Sequence, residues 1–69
     1  MLLYQVTQFD SHGNMLRQAP VQAASYHGAL KELRDVEPGC QKIVVHSTDG
    51  EKAGEVGAEY WRQRLRRGR

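Results

Sequence analysis

The segment 21–45 indicates a helix followed by a buried strand, and this pair limits the folds open to so short a chain. Ser25 is a favourable N-cap, because its hydroxyl can accept from a free amide of the first turn. We predict a helix from Ser25 to Glu37, ended by Pro38-Gly39. Three consecutive β-branched residues then predict a central strand from Gln41 to Ser47. The apolar stripe of the predicted helix comprises Tyr26, Ala29, Leu30, Leu33 and Val36.

The first twenty-four residues predict a hairpin. Met1 to Phe9 alternates in side-chain character and predicts a strand with one apolar face. Asp10 to Asn14 supplies the turn, since Asp and Asn bond their own backbone and glycine accepts a positive φ. Met15 to Ala19 returns as a second strand, and Val21 to Ala24 forms a short strand end. Pro20 lacks an N–H, so we expect this strand to be short, irregular or at an edge.

The last third of the chain predicts a second hairpin and a basic helix. Thr48-Asp49-Gly50 is a tight-turn signal, and Glu51 to Gly57 is its partner strand. From Ala58 the composition favours a helix with apolar pairs at i, i+4, although alternation also fits a strand across residues 56–60. We therefore predict one small α+β domain, 1–69. An antiparallel sheet of three to four short strands carries one helix on a face and ends in a basic, helical segment, 60–69.

Length and cysteine content narrow the class of protein further. A chain of 69 residues buries only about 60% of its unfolded surface, so its core is small. Cys40 is the single cysteine, which excludes a disulfide within one chain and indicates no oxidising compartment. The polar Gln5 interrupts the start of the chain before a leader could form, and no apolar run reaches the length of a membrane span. We expect a soluble, cytoplasmic protein without a membrane partner.

The charges of the chain are segregated. Residues 1–60 hold five basic and all eight acidic residues, whereas residues 61–69 hold five arginines and no acid. An acidic body with a basic end predicts an anionic partner for that end, or an acidic surface on which it can lie.

Catalytic and metal-binding patterns are weak in this sequence. A cysteine with a histidine is the one nucleophilic pair that the composition allows, and no spacing brings Cys40 to His12, His27 or His46. A lone cysteine beside a strand is more often a small hydrophobe. The histidines form no closely spaced pair with one another. We predict no catalytic residue, no metal and no cofactor.

Binding functions have better support. Arginine, tyrosine and tryptophan recognise phosphates, stack on bases and also dominate protein interfaces. The terminal arginines therefore predict either a nucleic-acid contact or a protein contact, and Trp61 with Leu65 also fits packing against the core. Self-association through the sheet would add to a small core and predicts a possible homodimer. The candidate contact residues are Lys31, Arg34, Tyr60, Trp61, Arg62, Arg64, Arg66 and Arg67.

The segment from Val21 to Cys40 resembles the middle of small phage-encoded anti-CRISPR proteins that act on type I interference complexes. The likeness lies in Gln22-Ala23-Ala24-Ser25 leading into a helix with Ala29 and Lys31. The resemblance implies one helix against an antiparallel sheet and a stoichiometric inhibitor that blocks target DNA from a surveillance complex. It also implies that Lys31 contacts the complex, although Leu30 replaces a second basic residue and the arginine-rich end has no counterpart.

The sequence thus predicts a non-enzymatic binding protein. The leading hypothesis is a phage or mobile-element inhibitor that occupies a nucleic-acid-binding surface of a host CRISPR-type nucleoprotein complex. Lys31, Arg34 and the terminal arginines would supply the contacting cations. The alternative is a small nucleic-acid-binding module that uses its arginine-rich C-terminus on DNA or RNA. The two hypotheses differ in salt dependence, which is steep for phosphate contacts.

Overall fold

A computed structural model describes residues 2–33 and 35–67 of the chain. Four strands and two helices follow one another in the order ββαββα. Met1, Arg34 and the terminal Gly68-Arg69 lie outside the described residues. The elements are β1 (Leu2–Phe9), β2 (Met15–Ala23), α1 (Tyr26–Lys31), β3 (Lys42–Ser47), β4 (Lys52–Gly57) and α2 (Ala58–Arg67).

The four strands form one antiparallel sheet in the order β2-β1-β3-β4. Each hairpin contributes one central and one edge strand, and the two hairpins meet along β1 and β3. In this seam Val6 pairs with Val45 and Thr7 with Val44. The predicted α+β class, the antiparallel sheet and the central position of the third strand are confirmed.

Both helices contribute to one core on the same face of the sheet. Tyr4 and Val6 from β1 and Ile43 and Val45 from β3 are buried there, as the alternation in the first strand predicts. Leu2 shares the predicted apolar face of β1 but lies at its end and is exposed. The helices add Ala29 and Leu30 from α1 and Ala58 and Trp61 from α2.

The helix predicted from Ser25 to Glu37 is shorter than expected. Ser25 is indeed the N-cap, but α1 ends at Lys31, and its last turn closes with bonds from Glu32 N to Ala29 O and Leu33 N to Leu30 O. The N–H of Glu37 is instead bound by the side chain of Gln8, at 2.7 Å. The following proline also disfavours helical geometry at residue 37. The described residues of the loop 32–41 lead back to β3, and its Leu33 and Val36 still pack against the core.

The edge position, one of the alternatives that Pro20 predicts for this strand, is confirmed, and the strand is not short. β2 runs continuously through Pro20, which pairs with Gln5, and its register shifts beside Phe9. An edge strand has one side free of ladder bonds, so a residue without an N–H is tolerated there. The second hairpin forms across Asp49 as predicted, and the helical alternative for residues 58–67 is confirmed by α2.

Candidate nucleic-acid interface

Helix α2 divides its side chains between the core and two exposed sides. Trp61 is buried and Leu65 half-buried, so these two fix the inward face. Tyr60, Arg64 and Arg67 follow at i, i+4 and i+7 and share one side of the helix. Tyr60 is 58% exposed, and both arginines are exposed, which leaves a tyrosine and two guanidinium groups in one accessible row.

A groove of about 200 Å³ lies between this row, helix α1 and strand β4. Leu30 and Val56 line its apolar part, and Glu55 lines it from β4. The remaining lining residues are aromatic or basic, and they define what we call the α1–α2 groove: Tyr26, His27, Lys31, Tyr60, Trp61 and Arg64.

The aromatic side chains of the α1–α2 groove come from both helices. The rings of Tyr26 and His27 stack with centroids 4.2 Å apart. The guanidinium of Arg64 lies 5.6 Å from the centre of the Trp61 ring, within the range of a cation–π contact. Tyr26 also rests on β4, where Gly54 has no side chain to displace it. Planar groups on two walls suit a planar ligand that stacks.

The groove carries an excess of positive charge. Among the described residues that line it, Glu55 is the single carboxylate, and Lys52 bonds to it. This hydrogen bond and the charge of Lys52 hold the pKa of the Glu55 carboxyl below its usual range, so it stays ionised and paired at neutral pH. The charges of Lys31 and Arg64 are then available to an anionic ligand.

Arg62 has a different position from the other predicted contact residues. Its Nη2 donates to the carbonyl oxygens of Glu37, at 3.1 Å, and Cys40, at 3.4 Å. Its Nη1 lies 3.6 Å from the carboxylate of Glu59. Arg62 thus ties α2 to the loop 32–41 and lies away from the groove. Arg17 holds the same loop through the side chain of Glu37, at 3.3 Å.

The structure brings together four of the eight sequence-predicted contact residues. Lys31, Tyr60, Trp61 and Arg64 line the α1–α2 groove. Arg66 and Arg67 are exposed near the end of α2, and Arg67 continues the row of Tyr60 and Arg64. Arg62 binds the loop, and Arg34 lies outside the described residues.

Sequence reasoning missed Tyr26 and His27 as groove residues. The signal that was present is the N-cap at Ser25, which fixes the start of α1 and so the orientation of its first turn. His27 then lies four residues before Lys31 and on the same side of the helix. The missing information was the position of α2, which forms the opposite wall.

Cys40 is buried and has the chemistry of a core residue. Burial raises the pKa of its thiol, which is therefore protonated at neutral pH. Its Sγ lies 3.4 Å from the carbonyl oxygen of Lys42. Within the ranges 2–33 and 35–67, no three histidine, cysteine or acidic side chains are grouped so as to hold a metal ion. Neither described helix is long and apolar enough to cross a membrane.

Comparison of the chain with protein families, curated proteins and solved structures finds no significant match.

Proposed function

We propose that this protein binds single-stranded nucleic acid without chemical turnover, and that the α1–α2 groove is the contact surface. The observation that carries the proposal is that two helices bring exposed side chains to one groove, namely His27, Lys31, Tyr60 and Arg64. Single strands are bound in this way elsewhere, with bases stacked on aromatic rings and phosphates held by cations. A duplex, whose bases are already stacked, cannot use the aromatic walls.

The row of Tyr60, Arg64 and Arg67 on α2 defines a path for the bound nucleic-acid strand. Arg64 lines the groove and Arg67 lies one turn further along the same side. A base held near Tyr60 would place successive phosphates close to these two guanidinium groups. Lys31 approaches from the opposite wall, so three cations surround the bound strand.

The inhibitor hypothesis shares this surface. The anti-CRISPR resemblance implies that Lys31 is a contact residue, and Lys31 lines the α1–α2 groove together with Arg64. A protein-directed inhibitor would use the same cations on an acidic protein surface. Such a protein–protein complex would also be held by shape-matched contacts between the two surfaces, so its affinity should survive moderate salt. The affinity of phosphate contacts, in contrast, falls steeply as the salt concentration rises.

The test is fluorescence anisotropy of labelled DNA and RNA, single-stranded and duplex, at about 50 and 200 mM salt. We expect single strands to bind more tightly than duplexes. For single strands, the slope of the logarithm of the binding constant against the logarithm of the salt concentration should become shallower by about 0.7 for each phosphate contact removed. Tyr60→Ala should weaken binding by roughly tenfold, since stacking contributes about 1–3 kcal/mol per base.

Arg64→Gln and Arg66→Gln form a matched pair of variants. Both remove one charge from α2, but Arg66 lies about 200° around the helix axis from Arg64 and faces away from the groove. Arg64→Gln should weaken binding several-fold, and Arg66→Gln much less. Equal losses would indicate diffuse attraction to the basic end and would contradict the groove. Absence of binding at low salt would remove the nucleic-acid function and leave the protein-directed inhibitor.

A further inference from the structure

Trp61 lines the α1–α2 groove and, within the described part of the chain, carries a buried polar group without a partner. It is the only tryptophan of the chain, it lines the groove, and it is 6% exposed. Its indole Nε1–H is buried and has no hydrogen-bond partner within residues 2–33 and 35–67. A buried donor without an acceptor raises the free energy of the unliganded protein. A ligand oxygen that reaches this donor therefore contributes more to the free energy of binding than one that replaces a water already bound to its donor.

We propose that the α1–α2 groove selects nucleotides whose base carries a carbonyl at carbon 6 of a purine or carbon 4 of a pyrimidine, and that the indole N–H of Trp61 donates to this oxygen. The inference rests on the proposed function and adds the class of base to it. Bases with a suitable oxygen include uracil, thymine, guanine and hypoxanthine. Adenine and cytosine carry an amino group at that position, which would set a second donor against the indole N–H.

Arg64 connects phosphate binding to access to the indole ring of Trp61. Its guanidinium lies over the indole ring of Trp61 and is itself on an exposed side chain. A phosphate in the groove draws the guanidinium towards itself, because a charge-assisted bond is stronger than an exposed cation–π contact. The indole is then uncovered for a base that follows the phosphate. A volume of about 200 Å³ accommodates a single base and excludes a base pair with its flanking strands.

Inosine and adenosine monophosphate provide the matched pair of probes. They share the phosphate, the sugar and the purine frame, and differ at the carbonyl or amino group on carbon 6. In ¹⁵N-labelled protein the single indole N–H gives one resolved signal, which reports directly on Trp61. We expect inosine monophosphate to shift this signal strongly and to bind about tenfold more tightly than adenosine monophosphate.

Trp61→Phe removes the donor and keeps an aromatic ring. The variant should bind both nucleotides with similar affinity, at the level of adenosine monophosphate on the wild type, and its circular dichroism spectrum checks that it is folded. The wild-type indole signal tests the proposal even if the variant does not fold.

Equal affinity of the wild type for the two nucleotides would overturn base selection, and equal shifts would show that the donor binds phosphate instead. A preference for inosine that persists in Trp61→Phe would also overturn it. In each of these cases single strands would still bind in the anisotropy experiment. Failure of the proposed function differs, because neither strands nor nucleotides would then bind.

Discussion

Gly54 shows how one missing side chain shapes the candidate site. A Cβ at this position would lie 2.6 Å from the ring of Tyr26, which is closer than side chains approach. The absence of a side chain therefore allows the tyrosine ring to lie flat on β4. At Gly57, three residues along the same strand, a Cβ would meet no atom within 4 Å. The two glycines thus serve different purposes in one strand.

Gly54→Ala should lower the free energy of unfolding by about 1–3 kcal/mol, as overpacking does. The displaced Tyr26 ring should also weaken binding in the groove. Gly57→Ala is the control and should be neutral or slightly stabilising, since it reduces the entropy of the unfolded chain. Urea denaturation of the two variants measures the difference. Equal stability would show that Tyr26 moves aside without cost.

Arg62 contributes to stability through the carbonyl groups it binds. Arg62→Gln should lower the free energy of unfolding by about 1–2 kcal/mol, because bonds from a charged donor to two carbonyl oxygens are lost. Arg66→Gln should change it by less than about 0.5 kcal/mol, as exposed substitutions usually do. Thermal or urea unfolding measures both. Similar effects would contradict the role of Arg62 in holding the loop 32–41.

Helix α1 is too short to form alone. Six residues give few intrahelical bonds, so its stability comes from its cap and from the burial of Ala29 and Leu30. The hydroxyl of Ser25 accepts from the N–H of Gly28 at 3.3 Å. This bond fixes the first turn, which carries the stacked rings of Tyr26 and His27.

Ser25→Ala should lower the free energy of unfolding by about 1 kcal/mol and loosen the aromatic wall of the groove. Ser25→Asp should stay close to wild type, because aspartate is an equally good N-cap. Denaturation gives the stability, and nucleotide titration gives the effect on the groove. A loss of stability without any change in binding would show that the first turn of α1 does not shape the site.

The elements that the sequence predicts correctly are those with local causes. Turn chemistry at Asp10 and Asp49 is contained in a few neighbouring residues, and so is the N-cap at Ser25. The conformation at residue 37, inside the predicted helix, has a distant cause, because Gln8 in β1 binds the N–H of Glu37. The hydrophobic periodicity of the predicted helix does not reveal that a side chain from another element binds this N–H.

The candidate site shows the same limit at the scale of the whole molecule. The composition of the C-terminus predicts which arginines exist, but the groove forms only where α1 and α2 meet over β4. That meeting separates Arg64, which lines the groove, from Arg62, which binds backbone carbonyls. Helical spacing alone places both on one exposed, basic helix.

Asp10 and Asp49, together with the Lys52-paired Glu55, make the stability of the molecule depend on pH. Asp10 accepts bonds from the backbone N–H groups of Asn14 and His12, and Asp49 accepts from the Ser47 hydroxyl and the Glu51 N–H. The Asn14 bond for Asp10 and the Ser47 bond for Asp49 are the main causes that hold both pKa values below their ordinary value of 3.8.

A depressed pKa in the folded state favours folding above the unfolded pKa, and this contribution is lost as the pH falls through the folded pKa. We therefore expect the free energy of unfolding to fall between about pH 4 and pH 2. Replacing Asp10 and Asp49 with asparagine, which keeps an acceptor without the charge, should flatten this decline. Urea unfolding across the range measures it. A double variant that declines as steeply as the wild type would assign the acid sensitivity to other groups.

The strand order β2-β1-β3-β4 also has a kinetic consequence. Each hairpin closes between neighbouring strands, whereas the β1–β3 seam joins residues as distant as Tyr4 and Ser47. Closing a longer loop costs more entropy before any contact forms. We therefore expect the docking of the two hairpins along this seam to be the slow step of folding. The α1–α2 groove, which takes one helix from each half, exists only after that step.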